Sequence, residues 1–266
     1  YLVKIAEDIA RLNRPDPEYL PSTGAQTLPD VNNSDPSTRE LEPAEMVEIV
    51  QQAIDKAKAY GATVSGMTEK HVYEYCLFTK NGFAGSDSLT QFGHSMTLKK
   101  ENVETKVSHE AKDFASFSLE QEFGRLLSQA ESLLTMKDFD ACKIPVILRP
   151  GAIGELLLYM GWMMNRRQSD EGFTPYTGQL GQPFFGEKFS LRSTLKEPRL
   201  YARPFDHEGI VSREISWVEN GILQNMPTNR HWAKEKNAKP QMTFTYFVPG
   251  GEHREEEMMK LVPTGP

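Results

Sequence analysis

The sequence predicts an α+β protein: a helix-sheet layer unit over residues 1–142, then a mostly β unit over residues 143–266 that contains one buried helix. Three observations predict it. Apolar residues recur at helical spacing in two segments, 46–57 and 123–134, and β-rich runs cluster between them. Asn81-Gly82 separates two of those runs, and Asn-Gly between β-rich segments is the strongest short-range hairpin signal. Beyond residue 143, short β runs and Gly-rich turns surround a single apolar segment, 153–164.

The chain opens on Leu2, Ile5, Ala6 and Ile9, one stripe of a helix already under way, which reads as a fragment of a longer chain. Pro15, Pro17, Pro21, Pro29 and Pro36 then rule out a sustained helix or ladder, so 14–36 is a long connector. Pro43 suits a first helical position, and Met46, Ile49, Val50, Ala53, Ile54 and Ala57 follow until Gly61 stops the helix. Strands are predicted over 71–79, 91–99 and 103–109. Ser118 and Gln121 make a capping box for the helix carrying Phe123, Leu126, Leu127, Ala130, Leu133 and Leu134.

In the second unit, Ile144 to Leu148 has the pattern of a short buried strand, stopped by Pro150-Gly151. The helix from Ile153 to Met164 is apolar nearly all round and is expected to be buried. A strand follows over 188–195, then a hairpin in which 210–218 and 222–224 flank Glu219-Asn220-Gly221. Glu255, Glu256 and Glu257 read as a solvated helix face.

Of 266 residues, 38% are hydrophobic and 25% charged, which excludes a disordered chain and a collagen-like repeat. Thirty Lys and Arg against 37 Asp and Glu give a net charge of −7, the wrong sign for a broad nucleic-acid face. The trio Lys234, Lys236 and Lys239 beside Trp232 is accordingly read as solvated surface. Cys76 and Cys142 have no metal or disulfide-framework spacing, which fits a reducing cytoplasm. No uncharged apolar run reaches the roughly 18 residues a membrane span needs.

Zinc hydrolases need paired imidazoles and a carboxylate base at helical spacing. His109-Glu110 begins such a motif, but Asp113 stands at the second His position, and neither His207 nor His253 does better. Asp206-His207-Glu208-Gly209 concentrates titratable groups before a strand. It suits either general acid-base work or a plain turn at Gly209. Gly178-Gln179-Leu180-Gly181 has neither phosphate-loop nor dinucleotide spacing.

Five ordered landmarks resemble the TldD/PmbA family, whose members include the TldD and TldE subunits of a bacterial metalloprotease and which was once described as a modulator of DNA gyrase. They are Val146 to Leu157 with its Pro150-Gly151 entry, Thr177 to Gln182, Phe205 to Gly209, Glu219 to Leu223, and Gln241 to Tyr246 leading to Pro249-Gly250. In TldD-type chains an HExxxH motif follows the paired leucines, here Leu156-Leu157. This chain carries Leu158, Tyr159 and Met163 at the His, Glu and His positions. Leu offers no ligand atom, Tyr is a poor base near neutral pH, and a thioether is too soft to favour zinc. Phe244 also departs from the Asn often found there.

The resemblance implies a zinc-less, TldE/PmbA-like subunit with no cofactor of its own, zinc being held by an HExxxH-bearing partner. It implies a TldD-like partner subunit or a homodimer, and a peptide or unfolded protein segment as substrate, with no nucleic acid and no membrane. Gly178, Gln179, Asp206, His207, Glu208, Thr243 and Tyr246 are the substrate-binding candidates it implies. Two alternatives stay open: a self-contained enzyme with a repurposed cavity, and a non-enzymatic peptide-binding homologue.

Overall fold

The computed structural model describes residues 1–134, 140–141, 143–242 and 245–261, which hold eight α-helices and two three-stranded antiparallel sheets. Helix α1 (Leu2–Leu12) forms where the apolar stripe predicts it, yet buries no residue. After the connector, α2 (Pro36–Arg39) is capped by the Asp35 carboxylate, which accepts from Ser37 N. In α3 (Pro43–Ala59), Pro43 sits in the first turn and Glu42 and Glu45 cap each other's backbone reciprocally. Gly61, at φ +72°, turns the chain out of the helix.

Strands β1 (Thr63–Phe78), β2 (Ala84–Lys100) and β3 (Val103–Ala111) form the first sheet in that order. β1 is longer than predicted because the polar stretch from Thr63 pairs with β2 from Lys99 downward, supplying a ladder that hydropathy does not signal. The predicted Asn81-Gly82 turn joins β1 to β2, with Gly82 at φ +92°. On central β2, Phe92, His94, Met96 and Leu98 alternate into the interior. Helix α4 (Leu119–Leu134) covers them with Leu119, Phe123, Leu126 and Ala130, while α3 adds Ala53 and Ala57. Ser118 Oγ accepts from Gln121 N at 3.4 Å, one arm of the predicted capping box.

The second half corrects three expectations. Residues 143–149 form no strand, and Ile144, Val146, Ile147 and Leu148 are exposed. Helix α5 (Pro150–Met163) forms as predicted but contains no buried residue. Its apolar surface runs all round, whereas only the side carrying Ile153, Leu157, Met160 and Gly161 meets neighbours and is half-buried. The second sheet is also small. Strands β4 (Leu191–Ser193), β5 (Ile215–Glu219) and β6 (Ile222–Leu223) have three, five and two residues, shorter than the predicted runs over 188–195 and 210–218, whose remaining residues join no ladder beyond an isolated bridge between Phe205 and Val211. Irregular backbone, with short helices α6 (Arg166–Asp170), α7 (Arg230–Glu235) and α8 (Glu255–Leu261), makes up much of the rest.

The β5–β6 hairpin does form at Asn220-Gly221, whose φ values of +50° and +81° are those of a two-residue hairpin turn. Trp217 lies at the centre of the second core, fully buried, and its Nε1 donates to Ser193 Oγ at 2.8 Å.

The connector stitches the two halves together. Buried Asn33 accepts from Ala202 N at 3.0 Å, donates to Ala202 O at 3.2 Å and to the Asp87 carboxylate at 3.2 Å, and receives Thr90 N on its own carbonyl. Thr23 Oγ1 donates to Glu208 O, Gln26 Nε2 to Gly209 O, and Glu18 pairs two-pronged with Arg167 at 2.9 Å.

Candidate functional site

Two groups of the candidate residues emerge, and no hydrogen bond, ion pair or ring contact among the described residues joins them directly. The first group belongs to the second core, which α5 also joins through Leu157 and Met160. Gly178, at φ +71°, and Gln179 form the turn after Tyr176, with Gln179 N donating to Tyr176 O at 3.0 Å and Gln182 N to Gln179 O at 2.9 Å. Tyr176 is itself buried in the second core, edge-on to Phe184. Tyr246 packs on α5 so closely that a Cβ on Gly161 would lie 2.8 Å from its hydroxyl, which explains a glycine in the last turn of the helix. Burial pushes the Tyr246 phenol up to about 12 and raises that of Tyr176 as well, so both stay neutral at physiological pH. Thr243 and Phe244 lie outside the described residues.

The opposite side of α5 carries the residues that the resemblance sets at the His, Glu and His positions. Leu156, Leu158, Tyr159, Trp162 and Met163 are 42–65% exposed there, with Tyr159 and Trp162 edge-to-face at 5.4 Å. Leu158, Tyr159 and Met163 offer no imidazole or carboxylate on this face. No cluster of three or more His, Cys, Asp or Glu side chains suited to a metal exists among the described residues. Zinc does not fit the residues on α5.

The second group is the turn 206–210, against the hairpin end of the first sheet. Asp206 is 2% exposed, and its Oδ1 accepts from Glu208 N at 2.9 Å and Ile210 N at 2.7 Å. Its Oδ2 is buried without a hydrogen-bond partner among the described residues. Burial raises the Asp206 pKa, opposed by the two backbone N–H groups. Gly209, at φ +73°, leaves room for Thr23, whose Oγ1 would lie 2.3 Å from an added Cβ. Glu208 faces Arg230 N at 3.4 Å, and His207 is exposed. The turn thus holds the connector, with Asp206 as its internal brace.

Sequence reasoning missed a buried polar cluster in the first unit. His94 and His109 face each other across β2 and β3, Phe117 packs on both rings, and Glu122, 7% exposed, lies 3.7 Å from His109 while pairing with Arg125. The signal was available in the alternation of Phe92, His94, Met96 and Leu98, which places His94 on the covered face. Trp232, by contrast, sits in a paired surface network: its Nε1 donates to Asp170, and Lys236 and Arg167 lie over its ring.

Residues 141–265 match the family model described as the PmbA/TldA metallopeptidase C-terminal domain. The fold is similar to that of a proposed modulator of a DNA gyrase from Thermotoga maritima MSB8, with a TM-score of 0.86 and 19% identity over 97% of this chain and 63% of that one. TldE from Thermococcus kodakarensis gives a TM-score of 0.87 at 18% identity, over 98% of this chain and 64% of that one. A proposed modulator of DNA gyrase from Bacteroides thetaiotaomicron VPI-5482 gives 0.81 at 18% identity, over 98% and 63%. At such identities the likeness establishes the fold alone, and this chain spans less than two thirds of each of these proteins. No curated protein matches the chain.

Proposed function

We propose that this chain is the zinc-less, TldE-like subunit of a peptide-processing metalloprotease, a reading supported by the match of residues 141–265 to the PmbA/TldA metallopeptidase C-terminal domain. One observation carries this reading. Leu158, Tyr159 and Met163, which the resemblance sets at the family's donor positions, are exposed on one face of α5 with Leu156 and Trp162. Such a continuous apolar surface suits contact with another protein better than chemistry in water. An HExxxH-bearing, TldD-like subunit supplies zinc and the glutamate base, and this chain helps enclose the substrate. The working compartment is a reducing cytoplasm.

The substrate is an extended peptide or unfolded segment. β1 is an edge strand of sixteen residues, and its unpaired backbone groups suit strand addition to such a peptide. Tyr246, packed on Gly161 of α5, and the Gly178-Gln179 turn after Tyr176 are the residues we assign to the substrate wall on that side.

The test is co-purification and peptide hydrolysis with this chain, an HExxxH-bearing homologue from the same genome, and both together. Cleavage of an unstructured peptide is expected only from the mixture, and a chelator is expected to abolish it. Hydrolysis by this chain alone would overturn the reading, as would a chain that assembles only with itself while the homologue works unaided.

A further inference from the structure

β1 has one side without a strand. It pairs with β2 in an unbroken antiparallel register from Thr63↔Lys99 to Phe78↔Ala84, and among the described residues no other ladder or bridge uses its outer edge. A long edge strand is normally blunted by proline, a bulge or a covering segment, because its unpaired N–H and C=O groups template another chain. β1 contains no proline, and residues 72–76 are exposed in succession. Met67, Val72, Tyr73, Tyr75 and Phe78 add exposed apolar and aromatic side chains to the same strand.

The order of residues along β1 selects the strand that fits it. When two copies of one strand meet antiparallel in a continuous sheet, each face is preserved only if the two-fold axis passes through a residue. Centred on Val72, Lys70 of each copy lies opposite Glu74 of the other. The same centre sets Val72 against Val72, Met67 against Leu77, and His71 against Tyr73, two rings that already stack at 5.5 Å within one strand. Phe78 then stands across from Gly66, an aromatic opposite a strand glycine. Centres at Lys70 or Glu74 put like charges face to face, and centres at His71 or Tyr73 leave both residues without a charged counterpart. Both charges are presented at the edge. The Lys70 ammonium donates to the Arg39 and Leu41 carbonyl oxygens at 3.1 and 2.6 Å, which aims it without neutralising it. The Glu74 side chain is 73% exposed, 3.7 Å from Arg39 of its own copy.

We propose that two copies of this chain associate through β1, antiparallel about Val72, so that the two three-stranded sheets become one of six strands. The interface is separate from the face of α5 and does not depend on the peptide-processing role. Where that role places a peptide on β1, self-pairing occupies the same edge and closes it to substrate.

The experiment is sedimentation equilibrium on the full chain over a dilution series, where a reversible monomer–dimer equilibrium is expected. Glu74→Lys and Lys70→Glu should each weaken dimerisation by about tenfold, since each makes both 70–74 contacts like-charged. Mixed together, the two variants should recover the native affinity, because every such contact is again between opposite charges. Under mild oxidation Val72→Cys should form a disulfide between copies at residue 72, and Glu74→Cys should form none at residue 74, whose own counterpart stands four residues along the facing strand. A chain that stays monomeric throughout the series, an affinity unchanged by Glu74→Lys, a mixture no tighter than either variant alone, or equal cross-linking at 72 and 74 would each overturn the proposal. Val72 and Glu74 are exposed, so the Glu74→Lys and cross-linking results stand even if Lys70→Glu does not fold.

Discussion

Asp206 and His94 place opposite pH limits on the same fold. Burial raises the Asp206 pKa above that of the unfolded chain, so its contribution is full below the ordinary aspartate value of 3.8 and is lost as pH rises through the folded value. His94 is lowered, so its contribution is full above 6.5 and is lost as pH falls through its folded value. Asn in place of Asp206 keeps an Oδ1 for the two N–H groups and removes the buried charge. Asp206→Asn is therefore expected to raise the melting temperature at pH 7 by about 2–4 °C and to flatten its decline between pH 4 and 7. A lower melting temperature at pH 7 would show that the carboxylate is needed as a charge. For His94, NMR titration should find the imidazole taking up its proton at a lower pH than an ordinary histidine, and uptake at the ordinary pH or above would show that burial does not govern it.

At the scale of elements, the β5–β6 turn is the most exacting. Gly221 holds φ +81° with the Phe185 carbonyl oxygen 2.5 Å from where a Cβ would stand, and its own carbonyl receives Phe184 N and Phe185 N. Gly221→Ala should cost about 1–3 kcal/mol in denaturant unfolding, and a cost near zero would mean that the 183–189 loop does not depend on this turn. The face of α5 makes the opposite prediction. Leu158→Glu with Trp162→Glu should leave chain stability within about 0.5 kcal/mol, because both side chains are exposed, yet abolish co-purification with the zinc-bearing subunit. The turn was legible from Asn220-Gly221 alone, since few residues other than glycine and asparagine adopt those angles. So were α3 and α4, from apolar spacing and caps. The exposure of α5 was not legible, because a helix apolar nearly all round reads as one buried on every side. The strand at 144–148 was misread for a related reason, since five apolar residues in a row fit a strand only where a neighbouring ladder exists.

At the scale of the whole molecule, the connector does more than link. Asn33 alone joins β2, the 202 backbone and the Asp87 carboxylate in a buried setting. Asn33→Ala would leave the Ala202 N–H and C=O without these partners, and a loss of about 2–4 kcal/mol is expected by chemical denaturation, with the transition becoming less cooperative. A change under about 0.5 kcal/mol would show that the two halves are stable independently of this joint. Neither Asn33 nor its neighbours stood out in the sequence, because a proline-rich stretch announces irregular backbone and says nothing of what that backbone grips.

The grip also sets a timetable for biosynthesis. Thr23 and Gln26 bind carbonyls 185 and 183 residues further along the chain. At about 5–20 residues per second of translation, the connector leaves the ribosome on the order of ten to forty seconds before its partners exist. For that interval it must remain both unfolded and unaggregated. Five prolines deny it a strand's full complement of donors, so the feature that keeps it from pairing internally also keeps it from pairing with another nascent chain.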